Sequence, residues 1–159
     1  MSLSAPHPIW STSKNNPHEV AKAVQQARLV SGRYRSESLV KYWNPSSTGK
    51  CKAPTCSNIQ ETVEHILLDC SQYTEERHKL VSMWLRTKYQ EVHYLVLNAF
   101  SASKSHLMQF ILDCSTLPEV ISAKQKHGDY ILDETFRLTR TWCFIIHKAR
   151  MKMLGRWPH

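Results

Sequence analysis

The chain has 159 residues, of which 42% are hydrophobic and 21% are charged, and its formal net charge is +8. This length suits one compact domain or a small module with a helical extension. The N-terminus lacks the charged and apolar regions of a signal peptide, and no stretch approaches the roughly 18 apolar residues of a membrane span. We therefore expect an intracellular protein, nuclear or cytoplasmic, that does not engage a membrane.

Apolar residues recur along the chain at helical rather than alternating spacing, and only four glycines are present, so the sequence predicts an all-α fold. Residues 1–15 show no periodicity and are expected to be disordered. Start and stop signals such as Asn16-Pro17, Gly32, Pro118 and Gly128 delimit the helices. The predicted helices span residues 16–32, 36–43, 74–88, 101–114, 118–128 and 129–154, and residues 91–100 are ambiguous.

Between the second and third predicted helices, Cys51, Cys56, His65 and Cys70 form a C-x4-C-x8-H-x4-C pattern. Thiolate and imidazole are ligands that zinc prefers, and a closed set of four is typical of a structural site. Pro54 lies in a turn that can bring the first two thiolates to one metal. Buried unliganded thiols or a disulfide are the alternatives, and the spacing favours zinc.

The basic residues are concentrated at the two ends of the chain, on either side of the part that begins with the Cys/His pattern. Residues 1–50 hold seven Lys and Arg against two acidic residues, and residues 135–159 hold six against none, whereas residues 51–134 hold eight against eleven. We therefore predict a basic helical segment at 16–50, a zinc module at 51–72 and a helical region at 73–157 that ends in a basic amphipathic helix. Basic elements on both sides of a scaffold are expected of a polyanion-binding surface.

The last predicted helix has an apolar face and a basic face when its residues are projected at 100° intervals. Phe144 falls within the basic arc, where its ring is predicted to stack on a base or a ribose. A basic face that is merely solvated is the alternative. The predicted nucleic-acid contacts on this helix are Arg137, Arg140, Phe144, Lys148, Lys152 and Arg156.

The first basic segment interleaves cations with aromatic residues around Gly32. Guanidinium groups match phosphate oxygens, and aromatic rings stack on unpaired bases. For Tyr42 and Trp43 the alternative is a place in the core of a short helix. The predicted contacts of this segment are Arg28, Arg33, Tyr34, Arg35 and Lys41. RNA or DNA is therefore the expected partner, rather than a small-molecule substrate.

Residues 27–157 resemble the C-terminal region of non-LTR (LINE-type) retrotransposon reverse transcriptase polyproteins. The resemblance rests on the segment from Arg28 to Arg35, on the first cysteine pair, and most specifically on Glu61-Thr-Val-Glu-His-Ile-Leu-Leu-Asp-Cys70. The segments Leu138–Cys143 and Leu154–Trp157 also look like the tail of such polyproteins. The resemblance implies a CCHC zinc module that holds template RNA or target DNA, with segment Arg28 to Arg35 as the contact. Polymerase, RNase H and endonuclease motifs are absent from the sequence, which therefore looks like a detached C-terminal part.

Catalysis by this chain's own residues is not expected. The sequence has no glycine-rich phosphate loop and no nucleophile at a recognisable spacing from a histidine. Asp129 and Asp133 are four residues apart at a helix N-terminus, where they favour the helix dipole, and Cys114 and Cys143 lie in apolar stretches typical of core thiols. Two functions remain: a non-catalytic, zinc-stabilised nucleic-acid-binding module, or a structural or protein-interaction remnant whose basic faces are only solvated.

Overall fold

The computed structural model describes residues 5–158, which are mostly helical outside the segment around the Cys/His pattern. Within this range the only β-type pairing is an isolated antiparallel bridge between Lys50 and Gln60, so the all-α prediction is confirmed. No helix in this range combines the length and apolar character that crossing a membrane requires. The α-helices are α1 (Pro8–Ser11), α2 (Pro17–Val30), α3 (Glu37–Val40), α4 (Thr74–Leu85), α5 (Gln90–Ser101), α6 (Lys104–Asp113), α7 (Pro118–His127) and α8 (Tyr130–Met153), joined by a π-helix at His65–Asp69 and by 3-10 turns at Ser71–Tyr73 and Cys114–Thr116.

The helix boundaries follow the local signals in the sequence. The Asn16 side chain accepts hydrogen bonds from two backbone N–H groups of the first turn of α2, and Pro17 occupies the first helical position, where its missing N–H costs nothing. Gly32 and Gly128 follow α2 and α7 with φ of 73° and 120°, values that favour glycine. The ambiguous residues 91–100 belong to α5, and the second predicted helix is shorter than expected because α3 ends at Val40.

The prediction of a disordered N-terminus is wrong for residues 5–15, and residues 1–4 lie outside the described part of the chain. Residues 8–11 form the single turn α1, whose Ile9 is only 4% exposed in the core. His7 Nδ1 accepts the N–H of Ile9 at 3.1 Å, and His7 Nε2 lies 2.9 Å from Asp113 Oδ2. This segment orders because it packs against α2 and α8, a long-range effect that leaves no periodicity in so short a stretch.

Helix α8 lies at the centre of the bundle and packs against α1, α2, α4, α5, α6 and α7. Leu138 and Trp142 on the apolar face of the helical projection are buried, and so are Thr139 and Cys143 on other sides of the helix. The indole N–H of Trp142 donates to the Leu67 carbonyl at 3.2 Å, which joins α8 to the π-helix. The prediction of one apolar and one solvated face therefore describes α8 only in part.

Candidate metal centre and arginine-lined cavity

The four residues of the Cys/His pattern come together in one buried cluster. The ligand atoms of Cys51, Cys56, His65 and Cys70 all lie within 4.8 Å of one another. Cys70 Sγ lies 3.8 Å from Cys51 Sγ and 3.7 Å from Cys56 Sγ, which is far beyond the length of about 2.0 Å of a disulfide bond. His65 Nε2 is buried and has no hydrogen-bond partner, an arrangement that coordination of a metal would satisfy. The cluster is compatible with a metal ion.

A tight loop positions the first two cysteines. The N–H of Cys51 donates to the Ile59 carbonyl at 2.8 Å, and the N–H of Cys56 donates to the Ala53 carbonyl at 3.0 Å. Asn58 adopts a φ of 66°, a left-handed conformation that asparagine tolerates better than most residues and that lets the chain reverse before the bridge to Lys50. The loop therefore holds both thiols through backbone hydrogen bonds.

A π-helix positions the other two ligands. The N–H of Cys70 donates to the His65 carbonyl at 2.7 Å, a π-type bond between residues five apart, and the Thr62 hydroxyl accepts the N–H of His65 at 3.1 Å. In an α-helix, residues five apart point about 140° away from each other, whereas the wider π turn brings them to one side. The π turn therefore brings His65 and Cys70 to the same side of the chain.

The surroundings of the thiols differ from one cysteine to the next. Burial raises the pKa of Cys51 and raises that of Cys70 to about 12. Burial also acts to raise the pKa of Cys56, but hydrogen bonds with Ser71 and the neighbouring thiols outweigh it and lower the pKa overall. The half-buried guanidinium of Arg77 donates to the Cys70 carbonyl. Three thiolates around a divalent ion would carry one net negative charge, which this cation is placed to offset.

Glu61 and Arg150 form a buried pair that the sequence analysis did not single out as functional. Arg150 Nη2 and Nε donate to the Glu61 carboxylate at 2.8 and 3.1 Å, and the Glu37 N–H donates to the same carboxylate at 2.8 Å. Arg150 Nη2 also donates to the Arg35 carbonyl at 3.1 Å. Burial opposes the charge of Arg150, but the contacts with Glu61 prevail and raise its pKa. The pair therefore links the loop of the metal centre to α8 and to the first basic segment.

The structure separates the predicted nucleic-acid contacts into exposed and buried residues. Phe144 and Lys148 are partly buried, Tyr34 and Arg140 are buried, and the remaining residues are exposed: Arg28, Arg33, Arg35, Lys41, Arg137, Lys152 and Arg156.

Arg140 does not belong to an exposed basic face, which corrects the sequence analysis. The residue is only 2% exposed, and its guanidinium pairs with Glu19 and donates to the Thr12 hydroxyl and carbonyl at 2.9 and 3.1 Å. Arg137, although exposed, donates to Glu134 at 2.6 Å. Both arginines are committed to ion pairs because α1, α2 and the turn after α4 pack around this part of α8.

Tyr34 is also placed differently from the prediction, because it is 5% exposed and its hydroxyl lies 2.7 Å from His147 Nδ1. Its ring is thus a core element rather than a stacking platform. Phe144 makes an edge contact with Trp157, with ring centroids 6.2 Å apart. Arg156 lies beyond the end of α8, since Gly155 turns the chain with a φ of 71°, so its position in the helical projection does not apply.

A cavity of about 500 Å³ lies where the two basic ends of the chain meet. Arg28, Arg33 and Arg35 line it from the C-terminal end of α2 and the following loop, and Arg156 lines it from the turn after α8. Its inner wall includes the buried side chains of Tyr34, Gln25, His147, Arg150 and Met151. No carboxylate lines this cavity, and within residues 5–158 none of the four exposed arginines forms an ion pair. The sequence indicated the two basic ends but not that they converge.

Comparisons of the chain with protein-family models, with curated proteins and with solved structures found no match. The fold and the site define the class: within its described residues this is an all-α protein with a buried cluster of three cysteines and one histidine that is compatible with a metal ion.

Proposed function

We propose that this chain is a zinc-stabilised nucleic-acid-binding module with no catalytic activity of its own. The observation that carries the proposal is the convergence of the two basic ends, which places Arg28, Arg33, Arg35 and Arg156 around one cavity without an ion-pair partner among the described residues. The buried cluster lies beside this convergence and supplies a rigid base for it.

The geometry of the cluster supports zinc as its metal. A tetrahedral zinc ion with Zn–S bonds of about 2.3 Å separates its sulfur ligands by about 3.8 Å, and two of the sulfur pairs here lie 3.7 and 3.8 Å apart. Three thiols and an imidazole leave no free position for a substrate or a catalytic water. Cys51, Cys56, His65 and Cys70 would therefore hold the ion, and the ion would supply structure by fixing the loop to the π-helix.

The link from cluster to cavity runs through named contacts. Glu61 lies in the loop between the two ligand pairs and holds Arg150, which in turn holds the backbone of Arg35. Arg35 is the last of three arginines that follow one another along the cavity wall. A fixed backbone at this position reduces the conformational entropy that the loop loses when its arginines bind phosphate.

Two exposed aromatic side chains beside cations favour single-stranded nucleic acid over an acidic protein. Trp43 lies beside Arg35 and Arg156, and Tyr42 lies beside Lys41. Tyr42 and Trp43 are 88% and 57% exposed, so their alternative assignment to a helix core is wrong. Base stacking on an aromatic ring contributes about 1–3 kcal/mol per base and does not depend on sequence. Cations beside such rings match a phosphate backbone with unpaired bases, and we propose the same partner class that the resemblance to non-LTR retrotransposon polyproteins implies. A descent from such an element stays a prediction.

The test is oligonucleotide binding by the purified full chain across a salt series, combined with elemental analysis for zinc. We expect stoichiometric zinc and a steep salt dependence, since each phosphate neutralised on a single strand contributes a slope of about −0.7 in log K against log salt. The double variant Arg33→Glu/Arg35→Glu should weaken binding and flatten this slope. The matched control is Lys124→Glu/Lys126→Glu on α7, which makes the same charge change at exposed residues that do not line the cavity.

The variant Lys148→Glu/Lys152→Glu separates the cavity from the face of α8 that the helical projection predicted. If this variant loses more oligonucleotide affinity than Arg33→Glu/Arg35→Glu, the binding surface lies on α8 rather than at the cavity. Equal affinities in the cavity variant and the α7 control, with zinc bound and the fold intact, would replace the proposal with the structural or protein-interaction remnant.

A further inference from the structure

We infer that the arginine-lined cavity binds a terminal phosphomonoester, the phosphate group at the end of a nucleic-acid strand. This inference rests on the proposed function, because it names which part of the nucleic acid the cavity takes. Three observations support it: the number of guanidinium groups without ion pairs among residues 5–158, the shape of the cavity, and the exposed ring of Trp43 next to it.

The number of cations exceeds what an internal phosphate requires. A phosphodiester has one negative charge and two free oxygens, which one or two arginine forks satisfy. A phosphomonoester carries a charge of about −1.5 to −2 near neutral pH and offers three strong acceptor oxygens. Arg150 in the inner wall adds no net charge, because its charge is balanced by Glu61. The four exposed arginines around the cavity have no ion pairs in the described part of the chain, and their combined charge suits the phosphomonoester better than the phosphodiester.

The cavity is concave and is built from two chain reversals. Gly32 after α2 and Gly155 after α8 adopt φ values of 73° and 71°, and these turns bring Arg33 and Arg156 to the same cavity. Its volume of about 500 Å³ falls in the range of roughly 300–1,000 Å³ of small-ligand sites. A strand end can enter such a depression, whereas a continuous backbone only passes across its rim.

Two helices end at this cavity, and helix C-termini disfavour anions. Their terminal carbonyls are nevertheless occupied: Arg28 O accepts the N–H groups of Arg33 and Tyr34 at 2.9 and 3.1 Å, and Met151 O accepts the N–H of Arg156 at 2.8 Å. The guanidinium side chains therefore dominate the electrostatic potential in the cavity, and they exceed the partial charges of two helix ends several-fold.

A second cavity of about 420 Å³ shares Arg35 and Arg156 with the first, and the Glu37 carboxylate in its wall pairs with Lys52. Its wall includes Trp43, whose exposed ring offers a stacking surface for the terminal base once the phosphate lies among the arginines. In the wall of the first cavity, the buried Gln25 has an amide oxygen without a hydrogen-bond partner among the described residues. A hydroxyl or amino group of the terminal nucleoside that donates to this oxygen would remove the cost of leaving it unpaired.

The experiment compares single strands of one sequence, with the same internal fluorophore, that carry a 5′-phosphate, a 3′-phosphate or no terminal phosphate, in DNA and RNA forms. Fluorescence anisotropy with the full zinc-loaded chain should show about tenfold tighter binding, or more, for one of the phosphorylated ends. Arg33→Ala/Arg156→Ala should abolish this preference and keep part of the basal affinity, since both residues are exposed. Lys124→Ala/Lys126→Ala should keep the preference.

Equal affinity for phosphorylated and unphosphorylated strands overturns the inference and leaves the proposed function standing. Absence of binding to every oligonucleotide removes both. Competition with inorganic phosphate and a nucleoside 5′-monophosphate distinguishes the sources of the ligand: tight binding of the monophosphate without any gain from a strand-end phosphate would make the cavity a free-nucleotide site and would overturn recognition of a strand end.

Discussion

The segment around the Cys/His cluster, residues 50–73, and the helical bundle around α8 are built by different means. In the bundle, Trp84 packs against Phe100, Phe110 and Trp142 with ring centroids 4.8–5.6 Å apart, and apolar burial holds the helices together. The segment contains one isolated bridge, a π-helix and a 3-10 turn, and several of its buried side chains are the proposed ligands themselves. A small segment with so little apolar surface needs a cross-link, which a metal would provide.

The largest expected difference between the two regions follows loss of a metal ligand, which should unfold the segment 50–73 and leave the helical bundle folded. With His65→Ala we expect loss of the proposed zinc ion and at least about a thousandfold faster amide hydrogen exchange across residues 50–73, because metal-binding free energy is folding free energy in small zinc modules. Exchange in the centre of α8 should change far less. Hydrogen exchange followed by mass spectrometry, with elemental analysis, measures both.

The matched control for that ligand variant is Cys143→Ala, which removes a buried thiol of α8 outside the cluster. Zinc content should stay unchanged and the bundle should lose about 1 kcal/mol of stability. Equal loss of protection in both regions of His65→Ala would show that the cluster supports the whole fold rather than its own segment.

The Glu61–Arg150 pair joins the two regions, and its loss is expected to have the second-largest effect, a lower free energy of unfolding. Arg150→Met should lower the free energy of unfolding by about 3–5 kcal/mol, because it leaves the Glu61 carboxylate buried without its cation. The double variant Glu61→Gln/Arg150→Met should recover part of this loss, since it removes the unpaired charge. Urea denaturation measures all three proteins, and a loss below about 1 kcal/mol for Arg150→Met would mean that the regions are joined elsewhere.

A smaller, pH-dependent effect is expected inside the bundle, where Glu19 pairs with Arg140. Burial acts to raise the pKa of Glu19, but Arg140 and Lys22 prevail and lower it. A lowered carboxyl pKa contributes stability above its unfolded value of about 4.3 and loses it as the pH falls through the folded pKa. Glu19→Gln should therefore cost about 1–2 kcal/mol near pH 7 and progressively less in acid.

The control for the Glu19 variant is Glu75→Gln, which removes a solvent-exposed pair with Lys79. Such pairs contribute little, so thermal unfolding of this variant should match the parent chain within about 0.5 kcal/mol at every pH. A pH-independent loss in Glu19→Gln would assign its effect to packing rather than to charge.

Local signals in the sequence were sufficient for most of the longer helices and for the cluster, but not for α1, for α5 or for the end of α3. Asn16-Pro17, Gly32, Pro118 and Gly128 each act within one or two residues of a helix end, so they can be recognised without tertiary information. The C-x4-C and H-x4-C spacings identified four residues that the structure brings together. The π winding at His65 could not be predicted, since nothing in its side chains distinguishes it from an α-helical turn.

The side-chain environments on α8 could not be predicted, because they depend on partners far away in the sequence. A helical projection assumes one buried face, and α8 has neighbours on nearly every side. Arg140 meets Thr12 from 128 residues away, and Tyr34 meets His147 from 113 residues away. Arginines that looked equivalent in the sequence thus divide into ion-paired residues, such as the buried Arg140 and the exposed Arg137, and the four residues around the cavity that form no ion pair within residues 5–158.

The central place of α8 also determines when the protein can fold during translation. The amide of Gln26 on α2 bonds to Thr139 on α8, which is 113 residues later, and α4 and α6 pack on the same late helix. These helices leave the ribosome before α8 and cannot bury the faces that contact α8 until it follows. The nascent chain therefore passes through a long interval in which chaperones have exposed surface to bind.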